Sequence, residues 1–290
     1  MSPFSPIEGY RFFYTEGEDE VKLTRLLLEN IEKFARKNNI LSCNFLYVEK
    51  EWGEIVAQEG YAKWLNRQSI WEANKAKDFS DYLAGFNSNQ RKNIKKERKA
   101  IKDQGIIVSA ISGSELTQNH LMQMHSFYEQ HCAKWGVWGS KYLSKKFFSN
   151  LSNMEQKKNI VLFNAYREEP NNSLAMSLCV KYKDMLWGRY YGSKEEIDFL
   201  HFEICYYAPI SWGLKNGISK FDPGAGGSHK QRRGFLAKSN TSLHIWFDKR
   251  MELLINPWMQ KANKVMFDEI KATNKDLPFK IETKSLKVNN

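Results

Sequence analysis

The chain has 290 residues and a formal net charge of +11, and 42% of its residues are hydrophobic. This apolar content excludes global disorder, and the length is enough for one large domain or two of ordinary size. No segment reaches the ~18 consecutive apolar residues of a membrane span, and the N-terminus lacks a signal-peptide pattern. We therefore expect a cytoplasmic protein without stable membrane insertion. The charge favours an anionic partner, although a generically basic surface explains it equally well.

Cysteine usage points away from metal and disulfide chemistry. The four cysteines, Cys43, Cys132, Cys179 and Cys205, are scattered and form no C-x-x-C pair. Neither a zinc site nor a disulfide framework is expected, and buried free thiols in a reducing compartment are the preferred interpretation. The acidic residues form no paired-carboxylate motif, so we predict no metal site.

The first third of the chain alternates between helical and extended patterns. Apolar spacing predicts, in chain order, a helix over 21–38, a strand over 42–48, a short helix over 52–60, a strand over 64–71, a helix from 79 to 84 and a charged helix over 87–104. Gly105 follows the charged helix at the position of a C-terminal cap.

The charged helix carries a basic stripe. Between Arg91 and Lys102 it holds seven basic residues and a single acid, Glu97. Arg91, Lys95, Arg98 and Lys102 recur at helical spacing and therefore share one face. Such a face could follow a phosphate backbone, as in RNA, or could simply be a solvated surface.

The remaining pattern contains consecutive strands. It predicts, in order, a strand over 106–111, helices over 115–134 and 142–154, strands over 160–167, 174–182 and 185–192, a helix over 201–216, a strand over 219–222, a glycine-rich loop, a strand over 243–247 and a helix over 250–273. Three strands with tight turns indicate an antiparallel meander. The expected fold class is α/β (α+β), with mixed, mostly antiparallel sheets flanked by helices.

The glycine-rich loop is the strongest chemical motif. It reads FDPGAGGSHKQRRGF over 221–235. Glycines let backbone N–H groups approach a ligand closely, and basic side chains beside them can hold a phosphate or carboxylate. Histidine titrates near neutrality and can move a proton. The candidate residues here are Gly224, Gly226, Gly227, His229, Lys230 and Arg233. A flexible basic surface loop is the alternative.

A second motif joins a strand end to an aromatic helix. Arg189 and Tyr191 end the strand, and the helix bears His201, Glu203 and Tyr207. Glu203 and Tyr207 lie four residues apart and share one helix face. This segment is interpreted either as an anion-binding helix start or as a helix packed through its aromatic residues. Separately, Lys134 and Trp135 could clamp a substrate by charge and stacking, or anchor a loop.

Taken together, these segments resemble a known family. RKNIKKERKAI, AKWG followed by YLSKKFF, RYYGS, DFLHFEICYYAPI, PGAGGSHKQRRGF and a closing LPFK occur in the order seen in Fem-like proteins of the GNAT acyltransferase superfamily, called peptidoglycan biosynthesis/recognition proteins. The resemblance covers nearly the whole chain and implies two GNAT-like lobes. It predicts a first lobe over 1–102, incomplete at its N-terminal side, a complete second lobe over 103–280 and a polar, frayed tail over 281–290.

The resemblance also bears on the donor. GNAT enzymes typically bind the coenzyme A pyrophosphate on a Gly-rich turn between a strand and a helix. The corresponding turn here, GSKEEIDFL, is acidic and holds one glycine. Fem ligases resemble this fold and use aminoacyl-tRNA, which agrees with the basic helix and the net charge. We expect no tightly bound cofactor, with either acyl-CoA or aminoacyl-tRNA as donor substrate.

These observations predict an acyl- or aminoacyltransferase acting on an amine, possibly that of a cell-wall precursor. His229 or Glu203 would accept the proton, Tyr191 and Tyr207 would orient groups, and Lys230 and Arg233 would hold the anionic part of the donor. The alternative is a non-catalytic protein that binds RNA or a precursor. A degenerate fragment that folds poorly is a third, weaker alternative.

Overall fold

A computed structural model describes residues 7–139, 141–224 and 226–280. The described residues form helices and strands in the mixed α/β arrangement that the sequence predicts. The helices are α1 (Glu20–Lys37), α2 (Lys50–Gln58), α3 (Phe79–Ala84), α4 (Ser88–Asp103), α5 (Gln118–Ala133), α6 (Lys145–Leu151), α7 (Leu200–Phe202), α8 (Ala208–Lys215) and α9 (Lys249–Lys275). The strands are β1 (Ser42–Phe45), β2 (Ala62–Glu72), β3 (Ile107–Ser112), β4 (Ile160–Tyr166), β5 (Ala175–Tyr182), β6 (Met185–Ser193), β7 (Lys220–Asp222) and β8 (Leu236–Trp246).

The chain divides into two compact units, and the first of them is discontinuous. It comprises the described residues up to Gln68 together with Ala237–Asp276, and the second comprises Ser69–Leu236 and the described residues from Leu277 onward. The predicted division after Lys102 therefore lies inside the second unit, which contains all of α4. Reading along the chain cannot reveal that a late segment returns to an early one. The assignment of GNAT-like lobes to 1–102 and 103–280 stays a prediction, and the predicted tail over 281–290 lies outside the described residues.

The first unit pairs β1 with β8 and β8 with β2. β1 runs antiparallel to β8, with Phe45 opposite Leu243. The predicted strand over 243–247 is only the end of β8, which begins at Leu236. Residues 238–242 in its middle are polar, yet Asn240 and Ser242 are buried. The Ser242 hydroxyl accepts a hydrogen bond from the Tyr47 amide at 3.2 Å, so pairing of buried polar groups replaces the apolar pattern that a strand normally shows.

The second unit orders its strands β2-β7-β6-β5-β4-β3. β4 to β6 form the predicted antiparallel meander, in which Phe163 lies opposite Ser177 and Ser177 opposite Tyr191. β3 adds to it by pairing antiparallel with β4. β7 pairs parallel with β6 and antiparallel with β2, so the sheet is mixed. The parallel pair ends at Asp222, which places the start of the glycine loop beside the middle of β6, where Asp222 lies opposite Trp187.

Both faces of this sheet are covered. On β4, Val161 and Phe163 belong to one buried cluster with Ile94 of α4, whereas Ile160 and Leu162 belong to another with α5 and α6. Alternate residues of a strand point to opposite faces, so burial on both sides explains why β4 and β5 read as continuous apolar runs. Full burial of each such side chain contributes roughly 1.5–3 kcal/mol.

The helix predicted over 201–216 is interrupted. α7 leads into a π-helical turn, Glu203–Tyr207, which continues into α8. Phe199, just before α7, adopts a left-handed backbone with φ of +66°. A π turn accommodates an extra residue, shifts the directions of the side chains it contains, and occurs frequently at functional sites. Among the described residues, no helix combines the length and apolar content that crossing a membrane requires.

Candidate functional site

The glycine loop and the aromatic helix contact each other within the second unit. The Tyr206 hydroxyl lies 2.8 Å from Nε2 of His229. The Arg233 guanidinium lies over the Phe202 ring, 3.4 Å from its centroid. The two segments that the sequence singles out independently are therefore joined by a hydrogen bond and a cation–π contact.

A buried ion pair connects α4 to the π-helical turn. Arg98 donates from Nε and Nη2 to both carboxylate oxygens of Glu203, at 2.9 to 3.2 Å. The Glu203 side chain is 7% exposed and that of Arg98 is 28% exposed. Arg98 also lies over the Phe79 ring. With both oxygens occupied by one guanidinium, Glu203 is better placed to fix the turn than to accept a substrate proton.

A second buried pair lies beside the first. Arg233 donates from Nη2 to Glu97 at 2.8 Å and from Nη1 to the His229 carbonyl at 2.8 Å. The Tyr207 hydroxyl donates to the same Glu97 oxygen, and burial raises the Tyr207 pKa. The Tyr82 hydroxyl donates to the Arg233 carbonyl. Tyr207 and Arg233 are thus tied to α4, and together they fix the peptide segment that carries His229.

Two buried charged side chains, Lys230 and Asp222, form hydrogen bonds with the backbone of the glycine loop. Gly224, Gly226 and Gly227 all have positive φ, a backbone region that side-chain-bearing residues seldom adopt. Lys230 is 2% exposed and donates to the Gly224 carbonyl at 2.6 Å. The carboxylate of Asp222 accepts the Gly224 amide at 2.8 Å, and burial raises the Asp222 pKa. Lys230 therefore braces the loop, whereas Gly226 and Gly227 are exposed.

Aromatic and histidine rings cluster around His229. The His201 ring centroid lies 5.7 Å from that of His229 and 4.9 Å from that of Tyr191. Burial, helped by His229 and Arg233, lowers the His201 pKa to about 4. Burial, then Arg233 and Lys230, lowers the His229 pKa as well. Burial raises the Tyr191 pKa to about 12. Burial and the nearby cations thus favour the neutral form of both imidazoles, and a neutral imidazole can accept a proton.

Other predicted site residues lie at the edge of this cluster. The Lys134 ammonium lies 3.4 Å from Glu196, and Trp135 is 63% exposed with its amide bonded to the Cys132 carbonyl. Neither has a described contact with the glycine loop. The Arg189 guanidinium lies 5.8 Å from the Tyr190 ring and is close enough to Asp222 to oppose the rise in its pKa.

The predicted basic stripe of α4 is divided. Lys95 and Lys102 are exposed and Arg91 is half-buried. Arg98 belongs to the same stripe but is turned inward to Glu203, so it does not extend an anion-binding surface.

Three residues of the site were not among the sequence-based candidates. A single acidic residue within a basic helix can indicate a buried ion pair. Glu97, the single acid in that run, receives both Arg233 and Tyr207. Phe202 and Tyr82 were also missed, and their contacts are visible only in three dimensions.

The turn between β6 and α7 is acidic, as its sequence indicates. Glu195, Glu196 and Asp198 follow the end of β6. Glu195 pairs with Arg167 at 3.3 Å and Glu196 with Lys134 at 3.4 Å, so two of the three carboxylates have a basic partner. That this turn does not bind a coenzyme A pyrophosphate stays a prediction. Across the described ranges, no group of three or more His, Cys, Asp and Glu side chains is placed to hold a metal ion.

Comparisons with solved structures show the fold. FemX superposes with a TM-score of 0.55 at 13% identity, covering 88% of this chain and 85% of its own. L-PGS from Bacillus licheniformis gives 0.56 at 11% identity, covering 80% and 76%. The C-terminal domain of a protein described as a lysylphosphatidylglycerol synthetase from Agrobacterium fabrum gives 0.53 at 9% identity, covering 79% and 74%. No curated protein sequence matches significantly.

The sequence itself identifies the family. Residues 1–281 match the FemAB-like family, described as peptidoglycan biosynthesis/recognition. The predicted family, the mixed α/β fold and the transferase class all agree with this match and with the fold of FemX. The chain belongs to the FemAB-like family.

Proposed function

We propose that this protein is an aminoacyltransferase that moves an aminoacyl group from an ester donor, aminoacyl-tRNA, to an amine of a peptidoglycan precursor. The observation that carries the proposal is the placement of His229. Its imidazole is hydrogen-bonded to Tyr206, its carbonyl is held by Arg233, and burial together with Arg233 and Lys230 lowers its pKa. Family membership supports the peptidoglycan connection.

The reaction requires a group that accepts a proton from the attacking amine and donors that stabilise the oxyanion of the ester carbonyl. The acceptor amine attacks the ester carbonyl carbon, and the carbon–nitrogen bond forms as an oxyanion develops. His229 accepts the proton that the nitrogen loses and delivers it to the departing ribose hydroxyl when the carbon–oxygen bond breaks. Gly226 and Gly227 are exposed, and their backbone N–H groups are the candidate donors to the oxyanion. Glu97, Arg98, Glu203 and Tyr207 position this machinery.

An ester on tRNA is favoured over a coenzyme A thioester for two reasons. The turn after β6 presents carboxylates where a pyrophosphate would need N–H groups or bases. In addition, α4 displays exposed Lys92, Lys95, Lys96, Lys99 and Lys102 on the surface of the same unit, which suits a phosphate backbone.

The test is a transfer assay with the full chain. Bulk tRNA charged with labelled amino acids, and separately labelled acetyl-CoA, are incubated with a peptidoglycan precursor that bears a free amine, and amide-linked product is detected by mass spectrometry. We expect product with charged tRNA, and a loss of about 10²–10⁴-fold in His229→Ala. The matched control is His244→Ala, which removes a histidine of β8 in the first unit.

The alternative outcomes are distinct. Wild-type turnover by His229→Ala removes the assignment of the base. If product forms only with acetyl-CoA, the donor is an acyl-CoA and not aminoacyl-tRNA. Tight, steeply salt-dependent tRNA binding with no product from any donor favours the non-catalytic RNA-binding alternative instead.

A further inference from the structure

A loop after α5 exposes an unusual amount of apolar surface. Trp135 is 63% exposed, Val137 95%, Trp138 87% and Tyr142 73%. We call these four residues the Trp138 loop. Large apolar side chains exposed singly are ordinary, but four close together in sequence mark an interaction surface.

The backbone of this loop is pinned at both ends. The Trp135 amide donates to the Cys132 carbonyl, and the Trp138 amide to the Trp135 carbonyl. Gly139 returns so close to α5 that an added Cβ would lie 2.1 Å from the Cys132 carbonyl oxygen. The Leu143 amide donates to the Tyr128 hydroxyl at 3.2 Å. Trp135 and Trp138 therefore belong to a hydrogen-bonded turn.

The charged residues within the loop segment itself all have one sign. Residues 134–146 contain four lysines, Lys134, Lys141, Lys145 and Lys146, and no acid. Lys134 pairs with Glu196 and Lys141 with Glu129, both from outside that segment. Lys145 and Lys146 begin α6 and are exposed. Tryptophan and tyrosine beside lysine is the composition that sits at the headgroup level of a bilayer.

We propose that the Trp138 loop docks the protein peripherally on an anionic lipid surface. Trp135, Trp138 and Val137 enter the boundary between headgroups and acyl chains, and Lys145 and Lys146 meet anionic headgroups. A nucleic acid would not explain a fully exposed valine at the tip, and a lysine-rich rim opposes pairing of two copies through the same face. The surface acts without the transfer reaction and does not depend on its donor.

The position of the loop suits this role. His131, three residues before Lys134, contacts the Tyr191 ring at 5.9 Å between centroids. Tyr191 in turn contacts His201 of the candidate site. The loop therefore follows, within a few residues along the chain, a helical residue that contacts the ring cluster of the same unit.

The experiment measures binding of the full chain to vesicles by sedimentation. Vesicles of phosphatidylcholine with 30–40% phosphatidylglycerol, as rough working proportions, are compared with pure phosphatidylcholine. We expect binding to the anionic vesicles, a blue shift of tryptophan fluorescence, and weakening by added salt. Val137→Ser/Trp138→Ser should raise the apparent Kd at least about tenfold, and Lys145→Gln/Lys146→Gln should remove most of the preference for anionic lipid.

The matched control is Ile107→Ser/Tyr182→Ser, which removes two other exposed apolar side chains of the second unit. Circular dichroism checks that each variant is folded. Equal vesicle binding by wild type, the loop variant and the control overturns the proposal, as does failure of the wild type to bind anionic vesicles. Loop-dependent self-association in analytical ultracentrifugation, without vesicle binding, overturns it in favour of a second copy as occupant.

Discussion

The guanidinium of Arg98 forms a two-pronged hydrogen-bonded pair with the carboxylate of Glu203, with nitrogen–oxygen distances of 2.9 to 3.2 Å. This pair joins the basic helix α4 to the π-helical turn. The π-helical turn and α4 are thereby held together next to the segment that carries His229. A second pair, Arg233 with Glu97, lies beside it. In the first pair α4 contributes the base, Arg98, and in the second pair it contributes the acid, Glu97.

Removing Arg98 should destabilise the protein more than removing its partner Glu203. Arg98→Ala leaves Glu203 buried and unpaired, and we expect a loss of about 3 kcal/mol in the free energy of unfolding. Glu203→Ala leaves Arg98 partly exposed and over Phe79, so about 1–2 kcal/mol is expected. Urea denaturation of both single variants and the double variant measures this.

The double variant should cost less than the sum of the two, with a coupling of at least ~1 kcal/mol. The matched control is Lys99→Ala, one residue further on α4, whose exposed pair with Asp103 should contribute below ~0.5 kcal/mol. Strict additivity of the Arg98 and Glu203 variants would show that the pair is not formed in solution.

His201 should make the protein sensitive to mild acid. Its folded pKa is lowered to about 4, mainly by burial, below the ~6.5 of an unfolded histidine. The unfolded chain then binds more protons between these values, so stability falls as pH drops from ~6.5 to ~4. Above pH ~6.5 the group is neutral in both states and contributes no pH dependence. His201→Phe should remove up to about 3 kcal/mol of the loss in unfolding free energy between these pH values.

The measurement is the unfolding free energy of wild type and His201→Phe at several pH values in this window. His229 and His131 also have lowered pKa values and remain in both proteins, so only the difference between the curves reports on His201. Parallel curves would mean that His201 is solvated in the folded protein.

Tyr206 should tune the proposed base without holding the fold. The hydroxyl bonds Nε2 of His229, while its ring packs against Phe235. Tyr206→Phe keeps the ring, so we expect less than about 1.5 kcal/mol of lost stability and a roughly tenfold fall in kcat. Because the His229 pKa is lowered, kcat/KM should rise with an apparent pKa below ~6.5 and stay level through neutral pH. An apparent pKa well above neutrality would point to another base.

Gly192 should tolerate no side chain. An added Cβ would lie 2.2 Å from the Phe127 carbonyl oxygen, and neither backbone can move without separating β6 from α5. We expect Gly192→Ala to cost about 3 kcal/mol or more, or to abolish soluble expression. Gly217→Ala is the matched control, since its φ of +74° costs about 1 kcal/mol but nothing lies within 4 Å. Thermal melts of the two variants should separate by several degrees, and equal melts would contradict the close approach.

The elements of the second unit were largely predictable because their signals are local. The meander over β4 to β6 consists of continuous apolar runs joined by short turns, and α4 and α5 have helical spacing and clear ends. β8 was only partly predictable. Its middle, residues 238–242, is polar and is stabilised by hydrogen bonding that local hydrophobicity does not report.

The candidate site divides in the same way. The sequence located the glycine loop and the aromatic helix because glycine, histidine and arginine clusters are local. It placed Arg98 on an open basic face, whereas the folded chain turns Arg98 inward to Glu203. Glu97 gave no sign of its role beyond its isolation among basic residues, since its partners Arg233 and Tyr207 lie more than a hundred residues away.

The amino-acid sequence by itself determined the family, the mixed α/β class and the two chemically distinctive segments, because periodicity, turn residues and ordered motifs act over a few residues. Only the tertiary structure decided which charges become buried partners, how the first unit combines an early and a late segment of the chain, and that burial lowers the pKa of His229. Burial and Coulomb interactions depend on distances in space, and distances between remote segments are not written in any local pattern.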